Sequence, residues 1–492
     1  MGQMIFRNSF SAGAASAHGI FFIIFCVMFL CSLPAFPGEA GFNSNRGDEK
    51  ILSLGLDESV AIAVKNSYDL QEILAREGIY SMAITESLRE YFPSLTFSYV
   101  QTDEVKYRSP DSRISRLTAE TEVIIYDGGR RGLNYDMARL NALAARNDYR
   151  IALNRLVVNI REQYLNLLRL KTAIDIHKRT FERARMQMEF IKKEYNLGDA
   201  TRLAVMEIEA KTKEVELSLK EAGDNYETAL MEYRLVLRIN RHTPVNIKGE
   251  VESDFTFVPV PDINPEELIA KAVRSRKEIE TAIIKSEISI RNHEISRSYF
   301  LPNVSMGFNY SLSDENFPPR EKGWGVNLKV TSRLFGNSFS GGAGYNEDSN
   351  GNSRALSRNG SVNVLNDMSY KRSIAESRIE MARADDEKKM IRERISLEVA
   401  SASSVLKNSW DMIEITARRL ELYDSLLEIE RLKADMGESR RYDLLEKEIE
   451  RGEAAVALLN SRIRYLMAVS ALEISIGADV DFLRKYFRER GE

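Results

Sequence analysis

Side chains able to do covalent or metal chemistry are sparse in this sequence. His177, His242 and His293 stand far apart, mostly in polar helical stretches. No glycine-rich phosphate loop, no cysteine and histidine spacing for a metal and no nucleophile motif accompanies them. The expectation is therefore no enzyme, no cofactor and no metal. Acids are numerous, and Asp443 and Glu446 are one of many closely spaced pairs along the helices. Spaced i and i+3, they share one face of a helix. Taken alone, such a pair reads equally as solvated surface charge.

The elements that carry these residues occur twice. An apolar-periodic helix runs from Leu54 to Tyr91 and ends at Pro93; another runs from Pro265 to Phe300 and ends at Pro302. Proline disfavours helix at the residue before it, which fixes both ends. Each half continues with two alternating strands, a very long helix and a glycine turn, at Gly198 and at Gly437. Duplication of this kind sets the architecture.

Period two marks the strands. Leu95, Phe97 and Tyr99 alternate with small polar residues in the first. Leu117, Ala119, Thr121, Val123 and Ile125 line one face of the second, with Thr118, Glu120 and Glu122, then Ile124 and Tyr126, on the other. The third carries Val304, Met306, Phe308, Tyr310 and Leu312. The fourth carries Trp324, Val326, Leu328 and Val330. From about Arg130 to Tyr195 a helix on the order of 100 Å long is expected. Leu153, Val157, Ile160, Tyr164 and Leu167 step by four and three along it, a coiled-coil seam.

The halves differ at one place. Pro93 and Pro302 are 209 residues apart, Gly198 and Gly437 239. An insert of about 30 residues lies between, at 337–367, rich in Gly, Asn, Ser and Arg. That composition predicts a flexible loop.

The 492 residues are 43% hydrophobic and 29% charged, with net charge -4. Near-balanced charge leaves no nucleic-acid footprint. The apolar run Ile20 to Leu30 has the length of a signal-peptide core rather than of a membrane span. Both cysteines, Cys26 and Cys31, lie in that N-terminal segment, and a mature chain without thiols would fit export; the rival reading is a retained anchor. Leu30 stands where lipoprotein signals carry a small residue, which argues against lipidation of Cys31.

Four two-faced strands of membrane length cannot close a barrel, because about eight are needed. An open edge cannot survive in lipid. Either the strands form a soluble sheet or several chains pool them. Tyr99, Tyr126, Tyr310 and Trp324 near the strand ends suit an aromatic girdle.

At this point the sequence resembles the TolC-type outer-membrane factor family of efflux and type I secretion systems. The matching pieces are Leu54 to Ala63, Tyr91 to Leu95, Tyr126 to Arg130, Gly198, Leu301-Pro302, Trp324 to Phe335, and Gly437 followed by Asp443-Leu444-Leu445. They fall in family order over nearly everything after the signal. The resemblance implies a mainly α chain in which a long coiled-coil α-barrel carries a small membrane β-barrel, four strands per chain, closed as a trimer. It implies an exit duct of a tripartite efflux or type I secretion system, in the outer membrane with most of its mass in the periplasm. The implied partners are an adaptor protein, an inner-membrane pump or ABC exporter, and outer-membrane lipid; none is a nucleic acid. The alternative is a periplasmic coiled-coil structural or adaptor protein.

The resemblance also implies roles. Gly198 and Gly437 would turn the chain at the periplasmic tip, with Arg440 and Arg441 beside the second turn. Pro93, Gly128, Gly129 and Pro302 would join barrel to helices. Asp443 and Glu446 would form two rings of negative charge at a constriction. The family latches its tip with a tyrosine and an arginine; here Ala434 and Ser439 stand in their places, and Ala204 replaces an acid. Arg440 and Arg441 are the available substitutes. The expected layout is a signal peptide at 1–40, a first repeat at 41–240, a linker at 241–264, a second repeat at 265–480 containing the insert, and a tail at 481–492.

Overall fold

The computed structural model describes residues 52–478, apart from 106, 108, 109, 111, 256, 258, 260–263 and 349–352. The expected signal peptide, Cys31 and the C-terminal tail lie outside the described residues.

Strand β1 (Leu52–Leu54) leads into helices α1 (Leu56–Asn66) and α2 (Tyr68–Arg89), then strands β2 (Ser94–Glu104) and β3 (Ser112–Tyr126). Helices α3 (Arg130–Leu197) and α4 (Arg202–Val236) form a long hairpin, followed by β4 (Val245–Ile247) and the short α5 (Val251–Asp254). The second half repeats the plan with α6 (Pro265–Ser275), α7 (Lys277–Arg297), β5 (Asn303–Asp314) and β6 (Glu321–Leu334). Two further strands follow, β7 (Asn337–Asp348) and β8 (Arg354–Asn363), before α8 (Ser369–Asp435) and α9 (Arg441–Ile476).

Each expected single helix before a strand pair is two. Both breaks fall at one residue with extended backbone, Ser67 (φ -70°, ψ 110°) and Arg276 (φ -72°, ψ 126°). Ser67 restarts its helix as an N-cap, its Oγ accepting from the Leu70 N–H at 3.3 Å. Arg276 instead ties three elements together: its guanidinium pairs with Glu278 at 2.8 Å and Glu398 at 2.6 Å and donates to the Ser475 carbonyl at 3.4 Å.

Helices α3 and α8 have 68 and 67 residues, each about 100 Å long. Helix α3 packs on α1, α2, α4, α7 and α9, while α8 packs on α6, α7 and α9. The main core gathers where these helices meet the parallel pair β1 and β4. Ile160, Tyr164 and Leu167 of the expected seam are buried there, beside Leu406, Ile463, Leu472 and Ile476. Tyr164 hydroxyl donates to the Lys248 carbonyl at 2.6 Å, which satisfies its polar end inside the core. Helix α9 is apolar enough by length to cross a membrane, yet half of that window is buried inside the protein. It is a core helix.

The sheet overturns one expectation. Residues 337–367 are not a flexible loop: they carry a β-hairpin, β7 and β8, that extends the sheet from four strands to six. The order is β2-β3-β5-β6-β7-β8, antiparallel throughout. The turn from β6 into β7 is Phe335-Gly336, with φ 51° and 84°. Two central residues with positive φ give the two-residue hairpin turn whose twist matches the strands. A second correction concerns Tyr126. A bulge between Ile124 and Tyr126 pairs Tyr126 with Val304, moving it from the polar to the apolar face.

Candidate functional site

In an antiparallel sheet directly paired residues share a face. The register therefore assembles one continuous apolar surface. Phe97, Ala119, Tyr310 and Trp324 form one row across it, and Thr121, Phe308, Val326 and Tyr345 form the next. Leu95, Phe97, Met306, Phe308 and Leu328 are exposed on it. Trp324 and Tyr345 rings lie 5.4 Å apart, and Tyr99 meets Phe317 edge-on at 6.0 Å.

The opposite face is polar and built of small groups. One row runs Glu122, Gly307, Asn327, Gly344 and Ser357; the next runs Glu120, Asn309, Gly325, Asn346 and Ala355. Glycine and asparagine thus alternate across strands, out of phase between rows. Each glycine lies under a neighbour's polar side chain. A Cβ at Gly342 would stand 2.5 Å from Asn359 Oδ1, and one at Gly344 would stand 2.9 Å from Ser357 Oγ.

The sheet joins the helices through two matching aspartates, Asp127 and Asp367. Asp127 accepts from the Gly129 N–H at 3.1 Å and the Arg131 N–H at 2.8 Å, and pairs with the Arg131 guanidinium at 3.2 Å. Asp367 accepts from the Ser369 N–H at 3.0 Å and from the Tyr299 hydroxyl at 2.9 Å. Each supplies a carboxylate to the unpaired N–H groups that begin a 100 Å helix. Bonds from Ser369 and Tyr299 hold the Asp367 carboxyl below its ordinary range. The signal was present as Asp-Gly-Gly and Asn-Asp-Met-Ser, an acid just ahead of each long helix.

Among the predicted junction residues, Gly128 and Gly129 both take positive φ, 71° and 83°. A Cβ at Gly128 would press on the Leu301 side chain, beside Pro302, at 2.7 Å. The junctions of the two halves are therefore in contact. Pro93 stands immediately before β2, and its carbonyl accepts from Arg89 at 3.0 Å.

At the far end of the helices the two glycine turns are alike. Gly198 has φ 90° and Gly437 φ 77°. The Asp199 N–H reaches the Glu194 carbonyl and the Glu438 N–H the Lys433 carbonyl, both at 2.9 Å. These are matched Schellman stops. The first turn is followed by a side-chain cap, Thr201 Oγ accepting from the Ala204 N–H at 3.2 Å. The second is not; Arg440 stands at that position.

Arg440 and Arg441 have different partners. Arg440 holds Asp443 through two contacts, at 3.1 and 3.2 Å. Arg441 crosses to the other hairpin, 3.4 Å from Glu194 and 5.3 Å from the Phe190 ring centre. Asp443 is half-buried and Glu446 is exposed. Glu446 raises the affinity of Lys211 and Lys447 for their protons, though the hydrogen bonds these lysines donate to Glu214 and Glu450 are the larger causes. Ala434 is buried with Leu427 and Leu444. Among the described residues no group of three or more metal-binding side chains converges.

The chain thus combines a two-faced sheet with paired helices of about 100 Å, a plan repeated within one chain. Residues 60–237 match the family model described as Outer membrane efflux protein, which covers most of the first repeat. No curated protein matches the sequence. Solved structures extend the likeness over nearly the whole chain. The Campylobacter jejuni CmeC outer membrane channel is 16% identical with a TM-score of 0.70, covering 89% of each chain. The Vibrio cholerae outer membrane protein VceC is 14% identical with a TM-score of 0.68, covering 86% of this chain and 96% of its own. The open state of the Neisseria gonorrhoeae MtrE outer membrane channel is 13% identical with a TM-score of 0.67, covering 86% and 89%. The resemblance to the TolC-type outer-membrane family is thus borne out, by sequence in the first repeat and by fold over the rest.

Proposed function

We propose that the protein is a trimeric exit duct of the outer membrane, passive in itself, serving a tripartite efflux or type I secretion system. The observation that carries this reading is the joining of an open-edged, two-faced sheet to helices about 100 Å long. Among the described residues nothing covers the apolar face, and lipid is the solvent that suits it. Six strands are too few to close a barrel alone, so copies must pool them. The polar face then lines water, and the helices continue the passage across the periplasm.

Gly198 and Gly437 form the tip that meets an adaptor. Asp443 and Glu446, repeated by threefold symmetry, make two acidic rings that favour cations. Arg440 offsets the charge of Asp443 by direct contact, whereas Lys211 and Lys447, each bonded to another glutamate, act on Glu446 only through their field, so Glu446 supplies the less compensated ring. Arg441 to Glu194 takes the place of the family's latch between hairpins. Energy for transport comes from an inner-membrane pump or ABC exporter, and the duct itself carries out no chemistry.

Membrane fractionation followed by the mass of the detergent-extracted particle tests this. A threefold particle in the outer membrane is expected. A soluble periplasmic monomer or dimer would replace the duct with a coiled-coil scaffold.

A further inference from the structure

The hairpin of β7 and β8 carries a consequence for the width of the duct. Its alternation continues that of β6 without a break. Phe339, Ala343 and Tyr345 lie on the same side as Val326, Leu328 and Trp324, and Leu356 and Val362 continue that side on β8. Asn346, Asn359 and Ser361 lie on the other, with Asn327 and Lys329. A flap outside the membrane would have no need of an apolar and a polar side in register with the wall.

The edges point the same way. Strands β2 and β8 end the sheet, and every residue of β8 is exposed. An unpaired edge has no place in hydrocarbon, where each backbone group must find a partner. Because the sheet has an even number of alternating strands, β8 of one copy meets β2 of the next antiparallel.

We infer that the hairpin is part of the barrel wall, and that β8 pairs with β2 of a neighbouring copy. This rests on the trimeric reading above. Three copies then close eighteen strands, where four strands per chain would close twelve. Barrel diameter grows roughly linearly with strand number, so the pore is about half as wide again. Barrels of 16–18 strands leave an open aqueous channel. Apart from Asp348 at the end of β7, the added wall is lined by uncharged Asn, Ser, Gly and Ala, so it widens the exit with little selection of cargo by charge. The exit suits cargo bulkier than a twelve-stranded barrel would pass.

One residue works against burial of this face in lipid. Arg358 pairs with Ala343, level with Leu328, away from the rim pair Arg354 and Glu347. A charge there has a depth-dependent cost, reduced by a long stem that can carry the guanidinium towards the headgroups.

The hairpin also enters and leaves the fold at one point. The Asp367 N–H donates to the Gly336 carbonyl at 3.2 Å, and a Cβ at Gly336 would stand 2.7 Å from Met368 Sδ. Removing 337–366 leaves ends that nearly meet, with β6 followed directly by α8 as β3 is by α3.

Cysteine pairs decide the matter, because the only native cysteines are Cys26 and Cys31. Ser357→Cys, Asn359→Cys or Ser361→Cys on β8 is combined with Thr96→Cys or Ser98→Cys on β2, and the outer membranes are oxidised. Neighbouring strands bring Cβ atoms within disulfide range. At least one pair should give a reducible covalent trimer on a denaturing gel. Asn327→Cys or Lys329→Cys on β6 with the same β2 sites should give none in the full chain, and should crosslink once 337–366 is excised. A β6 to β2 crosslink in the full chain, or no β8 to β2 crosslink in a particle that is threefold and in the outer membrane, overturns the eighteen-stranded wall alone. A particle that is soluble or not threefold overturns the duct reading beneath it.

Discussion

Asn346 on β7 lays its carboxamide over the α-carbon of Gly325 on β6, directly opposite in the register. Asn309 does the same from β5, its Oδ1 2.6 Å from where a Cβ at Gly325 would stand. Gly325 is glycine because two amides from two strands share the space above it. Gly325→Val should force both amides off the polar face and destabilise the sheet by about 1–3 kcal/mol, the usual range for overpacking. Asn346→Ala in the same chain should restore part of the loss. Thermal dissociation of the extracted particle measures both, and a midpoint unmoved by Gly325→Val would mean the row is loosely packed.

That lattice explains what the sequence hid. The helices were legible because Pro93, Pro302, Gly198 and Gly437 punctuate long periodic runs. The first four strands were legible because Phe97, Phe308 and Trp324 alternate against small polar residues. In β7 and β8 the same alternation is present, as Phe339 and Tyr345 or Leu356 and Val362, but diluted by glycine. Gly, Asn and Ser there serve packing between strands, whereas composition alone assigns them to a loop. The two breaks at Ser67 and Arg276 were hidden for a different reason. Neither residue is a helix breaker, and only tertiary partners such as Glu398 make the break visible.

Asp127 anchors the start of α3 with two backbone N–H groups and a guanidinium, and both it and Arg131 are little exposed. Asp127→Ala should therefore cost about 2–3 kcal/mol, more than a typical N-cap, because the guanidinium of Arg131 also loses its partner. Asp127→Asn should retain a backbone bond and lose less. Asp367→Ala should be milder than Asp127→Ala, since its surroundings are open. Denaturant midpoints of the three variants give the order; an equal loss at both junctions would mean that burial of the Arg131 pair contributes nothing.

Arg276 predicts acid sensitivity of the helical body. Burial pushes the Glu278 carboxyl up, but the hydrogen bond and charge of Arg276 outweigh it, and the folded-state pKa lies below the ordinary value of 4.5. A carboxyl depressed in the folded state contributes stability that is present above its unfolded pKa and lost as pH falls through the folded one. The protein should lose stability below about pH 4.5. Glu278→Gln should be less stable near neutral pH and show a shallower decline in acid. Thermal midpoints from pH 3 to pH 7 compare them, and parallel curves would show that Glu278 is not the group responsible.

At the tip, the bond from Arg440 to Asp443 leads to an asymmetry between the two acids. Both contacts join residues three apart on one turn, so the charge of Asp443 is offset within its own chain. Glu446 is exposed one turn further on. Removing Arg440 should uncover the Asp443 carboxylate, and on the duct proposal Arg440→Ala should raise cation selectivity in a planar bilayer. Glu446→Gln should lower it, and by more than Asp443→Asn does in the parent chain. In the Arg440→Ala background the effect of Asp443→Asn should grow, because the carboxylate no longer has its cation. Divalent-cation block should follow the same order, since it responds to local negative charge. Reversal potentials under a salt gradient read all four variants. If Arg440→Ala leaves selectivity unchanged while Glu446→Gln alters it, Asp443 does not face the passage; if none of the four alters it, the narrowest point lies elsewhere along the helices.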